Sequence, residues 1–211
     1  MKDLISEKKN QFRKRIMTLR DSLSKEEVLE RSRRIQDHVL NFPDLVNAEN
    51  IFIYVSFRSE VYTHEIIRIL LSMGKTVSVP KTDMKNKKLI PFAVSDFDSS
   101  LAPGAMGILE PKTDGQQSVA LDDIDIVVTP GVVFCEDGRR IGYGGGFYDR
   151  FFSRTGKQSC ALAFELQVVR DLPSDPRYDI KVDYIVTEER LIYCKGSATE
   201  SVGKKTIYPT A

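Results

Sequence analysis

IFIYVSF, residues 51–57, is an unbroken run of β-branched, aromatic and small side chains, the composition that suits a pleated and buried surface. Thr63 is placed to cap a helix running to Met73, Gly74 supplies its stop, and TVSVP (76–80) begins a second apolar strand. KLIPFAV (88–94) follows a turn rich in Lys and Asn and reads as another strand. Further on, DIVVTPG (125–131), Cys160–Phe164 and Tyr184–Thr187 are short apolar runs of the buried-strand type. The stretch between them, residues 95–120, is rich in Ser, Pro, Gly and Asp and reads as an irregular loop. Helices alternating with short buried strands predict an α/β fold: a mostly parallel sheet with helices on both faces, a Rossmann-like three-layer architecture.

Toward the N-terminus, residues 4–20 read as a helix whose apolar stripe is Ile5, Phe12, Ile16, Leu19 and Leu23. The same segment carries Lys8, Lys9, Arg13, Lys14, Arg15 and Arg20 with no acid between residues 8 and 20. At the helical period Lys9 and Arg13 lie beside the stripe, one turn apart, and can reach inward. The other basic residues are expected in solvent. Ser24 with Glu27 forms a capping-box pattern that starts a second helix over 25–40, and Pro43 bars its continuation. One domain over residues 1–195 accounts for these elements. GSATESVGKKTIYPTA (196–211) is a polar tail, expected to be poorly ordered.

Composition narrows the function. Lys and Arg number 31 against 30 Asp and Glu, so the basic excess of a nucleic-acid binder is missing. No apolar run approaches the ~20 residues of a membrane span, and MKDLISEKKNQF lacks the pattern of a secretory signal. Cys135, Cys160 and Cys194 are far apart and show no CxxC spacing. That argues against a zinc site or a disulfide framework and suits the cytoplasm.

The chemistry concentrates in VVFCEDGRRIGYGGGFYDRFF, residues 132–152. Asp137–Gly138 is a turn signal. Gly142, Gly144, Gly145 and Gly146 then feed a helix predicted from Phe147 to Arg154, with Gly156 as its stop. Without side chains, the loop's backbone N–H groups can close on an anion, and the helix N-terminus adds partial positive charge. Arg139 and Arg140 flank the loop and can pair with phosphate oxygens. Asp149, in the first helical turn, can cap it or hold a divalent cation bridging phosphates. No Gly-Lys-Ser/Thr follows, so this is not a Walker A loop. Phe147 occupies the third position of a dinucleotide fingerprint, which excludes that pattern too. A glycine-rich turn serving backbone shape alone is the competing reading. From residues alone the chain reads as a phosphate-binding α/β enzyme.

At these residues the sequence resembles the 5-formyltetrahydrofolate cyclo-ligase family. The likeness extends from about Lys9 to Thr187. Lys9 and Arg13 on the first helix, Ser24 to Glu27, Phe52 to Glu60, Met106 to Pro111, Pro130 to Phe134, Arg140 to Arg150 and Asp179 to Asp183 occur in family order. The resemblance implies ATP- and Mg²⁺-dependent cyclisation of 5-formyltetrahydrofolate to 5,10-methenyltetrahydrofolate with release of ADP and phosphate. It implies that Lys9, Arg13 and the segment Arg140, Ile141, Gly142, Tyr143, Gly144, Gly145, Gly146, Phe147 and Tyr148 bind ATP, with Arg140 and Tyr148 catalytic. It further implies that Val55, Glu60, Met106 and the Tyr143–Phe147 part of the loop face the folate, and that Asp149 and Asp179 hold Mg²⁺. Small molecules are then the partners, with neither nucleic acid nor membrane, for a monomer or weak homo-oligomer. The chain departs from the common family pattern at Phe147, Tyr62 and Tyr178, where members often carry Tyr, Asp and His. A sugar-phosphate isomerase or CoA-transferase-like enzyme, or a non-catalytic folate- or nucleotide-binding module, are the alternatives. His38 and His64 stand in no nucleophile pattern, so acyl-transfer hydrolysis is disfavoured.

Overall fold

A computed structural model describes residues 2–104, 107–114 and 118–194. Met106 and the tail 196–211, both singled out in the sequence, lie outside the described residues. Helices α1 (Lys2–Asp21) and α2 (Lys25–Leu40) open the chain. The capping box between them forms. Ser24 Oγ accepts from the Glu27 N–H at 3.1 Å, and Glu27 Oε2 accepts from the Ser24 N–H at 2.8 Å, worth about 1 kcal/mol. A short α3 (Pro43–Asn47) leads into β1 (Asn50–Ile53), α4 (His64–Ser72), β2 (Thr76–Asp83) and β3 (Lys88–Val94). Then come α5 (Phe97–Ser100), β4 (Leu101–Pro103), β5 (Leu109–Pro111), β6 (Ile126–Thr129), β7 (Val133–Cys135) and β8 (Arg140–Ile141). Helix α6 (Phe147–Thr155), β9 (Gln158–Leu162), β10 (Val168–Val169), β11 (Tyr184–Val186) and β12 (Leu191–Tyr193) complete the chain.

The main sheet has the order β12-β11-β9-β6-β1-β2-β3. Its five central strands are parallel, and β3 and β12 close the two edges antiparallel. Alternation along the strands divides the core. Ile51, Ile53, Ile126 and Val128 pack with Ile35 and Val39 of α2 and Ile66, Ile67 and Leu70 of α4. Phe52, Val127, Ala161 and Ile185 pack with Phe151 and Phe152 of α6, and the Phe52 and Phe151 rings stack 4.4 Å apart. Helices therefore cover both faces, as the alternating pattern requires.

Four local expectations need correction. Residues 95–120 are not one irregular loop: they contain α5 and the β4–β5 hairpin. These pieces are too short and too Pro-rich to show a period. Thr63 precedes α4 without capping it. Its hydroxyl instead donates to Tyr54 O at 2.9 Å and accepts from the Ser56 N–H at 2.9 Å, so it ties down the turn after β1. That turn also explains why β1 ends at Ile53 rather than Phe57. On α1, Leu19 is 45 % exposed while Arg20 is 3 % exposed, the reverse of the predicted stripe.

Strand β1 comes first in the parallel set. The chain then places β2 on one side of it and β6 on the other. This is a topological switch point, where the connections leaving the carboxyl ends of β1 and β6 part and open a crevice. A smaller sheet, β10-β7-β8, lies beyond β6. Ile16 of α1 packs with Val132, Val133, Cys135, Ile141 and Leu172 around it, which brings the basic helix alongside the glycine-rich segment.

Candidate active site

The glycine-rich segment links β8 to α6. Gly144 has φ +101° and Gly146 φ +65°, in the left-handed region that disfavours side chains. A Cβ on Gly145 would lie 2.8 Å from the Phe147 ring. Two loop carbonyls are held by arginines: Arg13 Nε donates to Gly142 O at 2.7 Å, and Arg150 Nη2 donates to Gly145 O. C=O and N–H of a trans peptide point in opposite directions, so the Tyr143 and Gly146 N–H groups face away from these arginines. Gly146 gives α6 no side-chain cap. The first-turn N–H groups of a helix are anion donors.

Arg140 lies beneath the loop with its side chain 2 % exposed. Nη2 donates to Asp149 Oδ1 at 2.9 Å, and the guanidinium lies 5.2 Å from the Phe152 ring centre and 5.8 Å from that of Tyr148. Its buried Nε has no hydrogen-bond partner among the described residues. Burial lowers its pKa, while Asp149, Tyr148 and Asp179 oppose that shift. Tyr148 is pushed well above the ordinary phenol range by burial and then by Glu60, so it is an O–H donor at neutral pH.

Lys9 pairs with Asp179, and Asp179 Oδ2 also accepts from the Asp175 N–H at 2.7 Å. The Ile180 N–H reaches Asp149 Oδ1 at 3.4 Å, which brings the segment carrying Asp179 against the first turn of α6. Among the described residues no group of three or more His, Cys, Asp or Glu side chains could hold a metal ion. Two hard oxygen donors therefore suit a magnesium ion that completes its shell with water and phosphate, not a closed protein cage.

Glu60 follows β1 at the switch point and is buried. Its Oε1 accepts from the Tyr143 hydroxyl at 2.6 Å and its Oε2 from the Phe57 N–H at 2.8 Å. Burial raises its pKa, against the pull of Tyr143, the Phe57 N–H and Arg20. The expected residues thus converge on one crevice: Lys9 with Asp179, Arg13 with Gly142, Tyr143 with Glu60, and Arg140 with Asp149.

Val55 is buried in the apolar cluster against which Tyr148 packs. The Ile141 side chain packs against Ile16, so only its backbone is available to a ligand. Arg139 does not serve the loop. It donates to Asp137 Oδ2 at 2.7 Å, to Asp171 Oδ1 at 2.8 Å and to Leu172 O, all outside the glycine-rich segment. Arg20, expected in solvent, is the residue that sequence reasoning missed. Its place four residues after Ile16 on the packed face was the available signal.

A doubly wound α/β protein with a glycine-rich loop and a buried carboxylate at its switch point belongs to the class that binds ligands beyond the carboxyl ends of its strands. The profile of the 5-formyltetrahydrofolate cyclo-ligase family matches residues 5–188. The Haemophilus influenzae 5-formyltetrahydrofolate cyclo-ligase is 32% identical over 184 residues, 84% of this chain and 98% of the relative. The Escherichia coli enzyme of the same name is 30% identical over 175 residues, 82% of this chain and 96% of its own. The solution structure of Aquifex aeolicus 5,10-methenyltetrahydrofolate synthetase superposes with a TM-score of 0.79 at 28% identity, covering 95% of this chain and 96% of that one. The chain belongs to the 5-formyltetrahydrofolate cyclo-ligase family and is an enzyme of the cyclo-ligase type.

Proposed function

We propose that the chain, acting as one α/β domain over residues 1–195, uses ATP to close 5-formyltetrahydrofolate to 5,10-methenyltetrahydrofolate. The formyl oxygen on N5 attacks the γ-phosphorus, the bond to the β-phosphate oxygen breaks, and ADP leaves. N10 then adds to the formyl carbon and gives up its proton. The carbon–oxygen bond breaks, and inorganic phosphate departs. A formamide oxygen is a poor leaving group, and phosphorylation makes it a good one. The protein's task is then to align two substrates and neutralise phosphate charge.

The observation that carries this reading is the meeting of two chemistries at one switch point. A cationic and N–H-rich cradle built by Lys9, Arg13, Arg140 and Gly142–Gly146 lies against a buried acceptor, Glu60, tied to the loop through Tyr143. In this reading Lys9, Arg13 and Arg140 bind the ATP phosphates. Glu60 accepts from pterin N–H groups, and the Tyr148 hydroxyl donates to oxygens near the reacting phosphate. Asp149 and Asp179 would hold Mg²⁺, which supplies charge neutralisation on the phosphates when bound. The cytoplasm as the site of action and a monomeric or weakly self-associating state belong to the same proposal. No helix among the described residues is long and apolar enough to cross a membrane.

The test is absorbance at the methenyl-folate band after mixing protein, 5-formyltetrahydrofolate and Mg²⁺, with and without ATP. A rise that requires ATP is expected, and added EDTA should abolish it. No rise from folded, ATP-binding protein would reject this substrate.

A further inference from the structure

Arg20 stands at the C-terminal end of α1, buried, and its three donor nitrogens go to three separate parts of the crevice. Nε donates to Ser59 Oγ at 3.1 Å, in the turn after β1. Nη1 reaches Gly131 O at 3.4 Å, just after β6. Nη2 donates to the Tyr143 hydroxyl at 2.8 Å, in the glycine-rich loop. Each of these acceptors is a neutral oxygen. A buried guanidinium satisfied only by neutral oxygens needs its counter-charge nearby, and two carboxylates stand one hydroxyl away: Asp21, which accepts from Ser59 Oγ, and Glu60. The Tyr143 hydroxyl that accepts from Arg20 donates in turn to Glu60 Oε1 at 2.6 Å. The Tyr143 residue itself is 48 % exposed, so its hydroxyl end is drawn inward while much of the side chain stays open to solvent. A hydroxyl that accepts from a cation is polarised into a stronger donor, and this one passes Arg20's field to the carboxylate.

We propose that Arg20 is a positioning residue for the folate end of the site, fixing the Glu60 carboxylate through the Tyr143 hydroxyl and pinning the glycine-rich loop to both lips of the switch point. The proposal rests on Glu60 facing the folate. It assigns to α1 two duties: Lys9 and Arg13 toward the phosphates, and Arg20, beyond them on the same helix, toward the pterin.

A role in overall stability alone predicts a lower Tm and nothing else, so the deciding readouts lie elsewhere. Arg20→Met keeps the length and apolar bulk of the side chain and removes the charge. Tyr143→Phe keeps the ring and cuts only the relay. In the full-length protein, Arg20→Met should raise KM for 5-formyltetrahydrofolate by about tenfold, with KM for ATP changed far less. Glu60 is faced by Arg20 and by the Tyr54, Tyr143 and Tyr148 phenols. Arg20 is the cation that favours its ionised form, so the variant should move the acid limb of kcat/KM to higher pH. Tyr143→Phe should move both in the same direction, and the double variant should be no worse than the more impaired single one. Arg20→Lys, with one point donor in place of a three-way fork, should restore the pH limb in part and the folate KM incompletely.

The carboxyl carbon resonance of Glu60, titrated in ligand-free protein, reads the linkage without substrate and should shift upward in both single variants. Additive losses in the double variant, or an unmoved Glu60 titration in a protein that binds folate, overturn the role of Arg20. If Arg20→Met does not fold, Tyr143→Phe and Arg20→Lys decide by the same readouts. Failure of the wild-type protein to bind 5-formyltetrahydrofolate by calorimetry overturns the functional reading and the folate duty of Arg20 with it, while the titration still tells whether Arg20 governs Glu60.

Discussion

Arg139 and Arg140 are neighbours in sequence and opposites in structure. Arg139 is partly exposed and saturated, bound to Asp137, Asp171 and a main-chain carbonyl. Arg140 is buried against two aromatic rings, shares one carboxylate oxygen of Asp149, and has a buried Nε unpartnered among the described residues. An arginine that already has its anions is a fastener. An arginine kept in a low-dielectric setting with unused donors has capacity left for another anion. One residue of displacement decides which is which: Arg139 ends the turn before β8, and Arg140 begins the strand.

This contrast is open to direct attack. Removing Arg140 (Arg140→Ala) should weaken ATP binding by about 1.5–3 kcal/mol, measured by calorimetry, with the fold retained by circular dichroism. Unchanged ATP affinity in the folded variant would make Arg140 a second fastener. Arg139→Ala should do the converse. It should cost about 1 kcal/mol of stability, given the partly exposed setting of its ion pairs, in a denaturant titration, and leave the ATP dissociation constant where it was. A loss of ATP affinity here would erase the distinction.

The smallest effect is a matter of pH. Burial pushes the Asp137 carboxyl up, but the Arg139 N–H and the Cys135 and Arg139 side chains more than offset this. They hold it at about 2, against an ordinary 3.8. A depressed carboxyl contributes stability that is present above the unfolded value and lost as pH falls through the folded one. Asp137→Asn should therefore flatten the stability profile between about pH 4 and pH 2, and leave ATP binding at neutral pH untouched. A profile that keeps its full slope in that window would detach Asp137 from the fastening of Arg139.

The sheet was readable because IFIYVSF, TVSVP, DIVVTPG and the runs at 160 and 184 are apolar segments bounded by turn residues, and burial on both faces demands that pattern. Ser24 and Glu27 were readable because a capping box is local in sequence. The position of the loop between a strand and a helix was readable because four glycines in five residues precede an apolar helical run, and the inward turn of Lys9 and Arg13 because their helical phase set them beside the stripe. Other parts depended on contacts between distant segments. Arg20 looked solvated because a periodicity argument assigns charge to solvent; its burial requires Tyr143 and Glu60, brought in by folding from 123 and 40 residues away. The β4–β5 hairpin left no signal, since three-residue strands cannot show alternation. Val55 is different again: its apolar side chain lies in a cluster against which Tyr148 packs, and only the resemblance, not any pattern in the residues, singled it out.

The crevice takes its walls from α1, from the turn after β1, from the loop after β8 and from the Asp175–Asp179 segment. No contiguous fragment of the chain contains it. Substrates bound there, as proposed, would recognise only the completed native state and would act as pharmacological chaperones in the thermodynamic sense. A ligand at a hundred times its dissociation constant adds about 2.7 kcal/mol to folding. In a cell, the supply of nucleotide and folate would then set how long the enzyme survives proteolytic turnover as well as how fast it works.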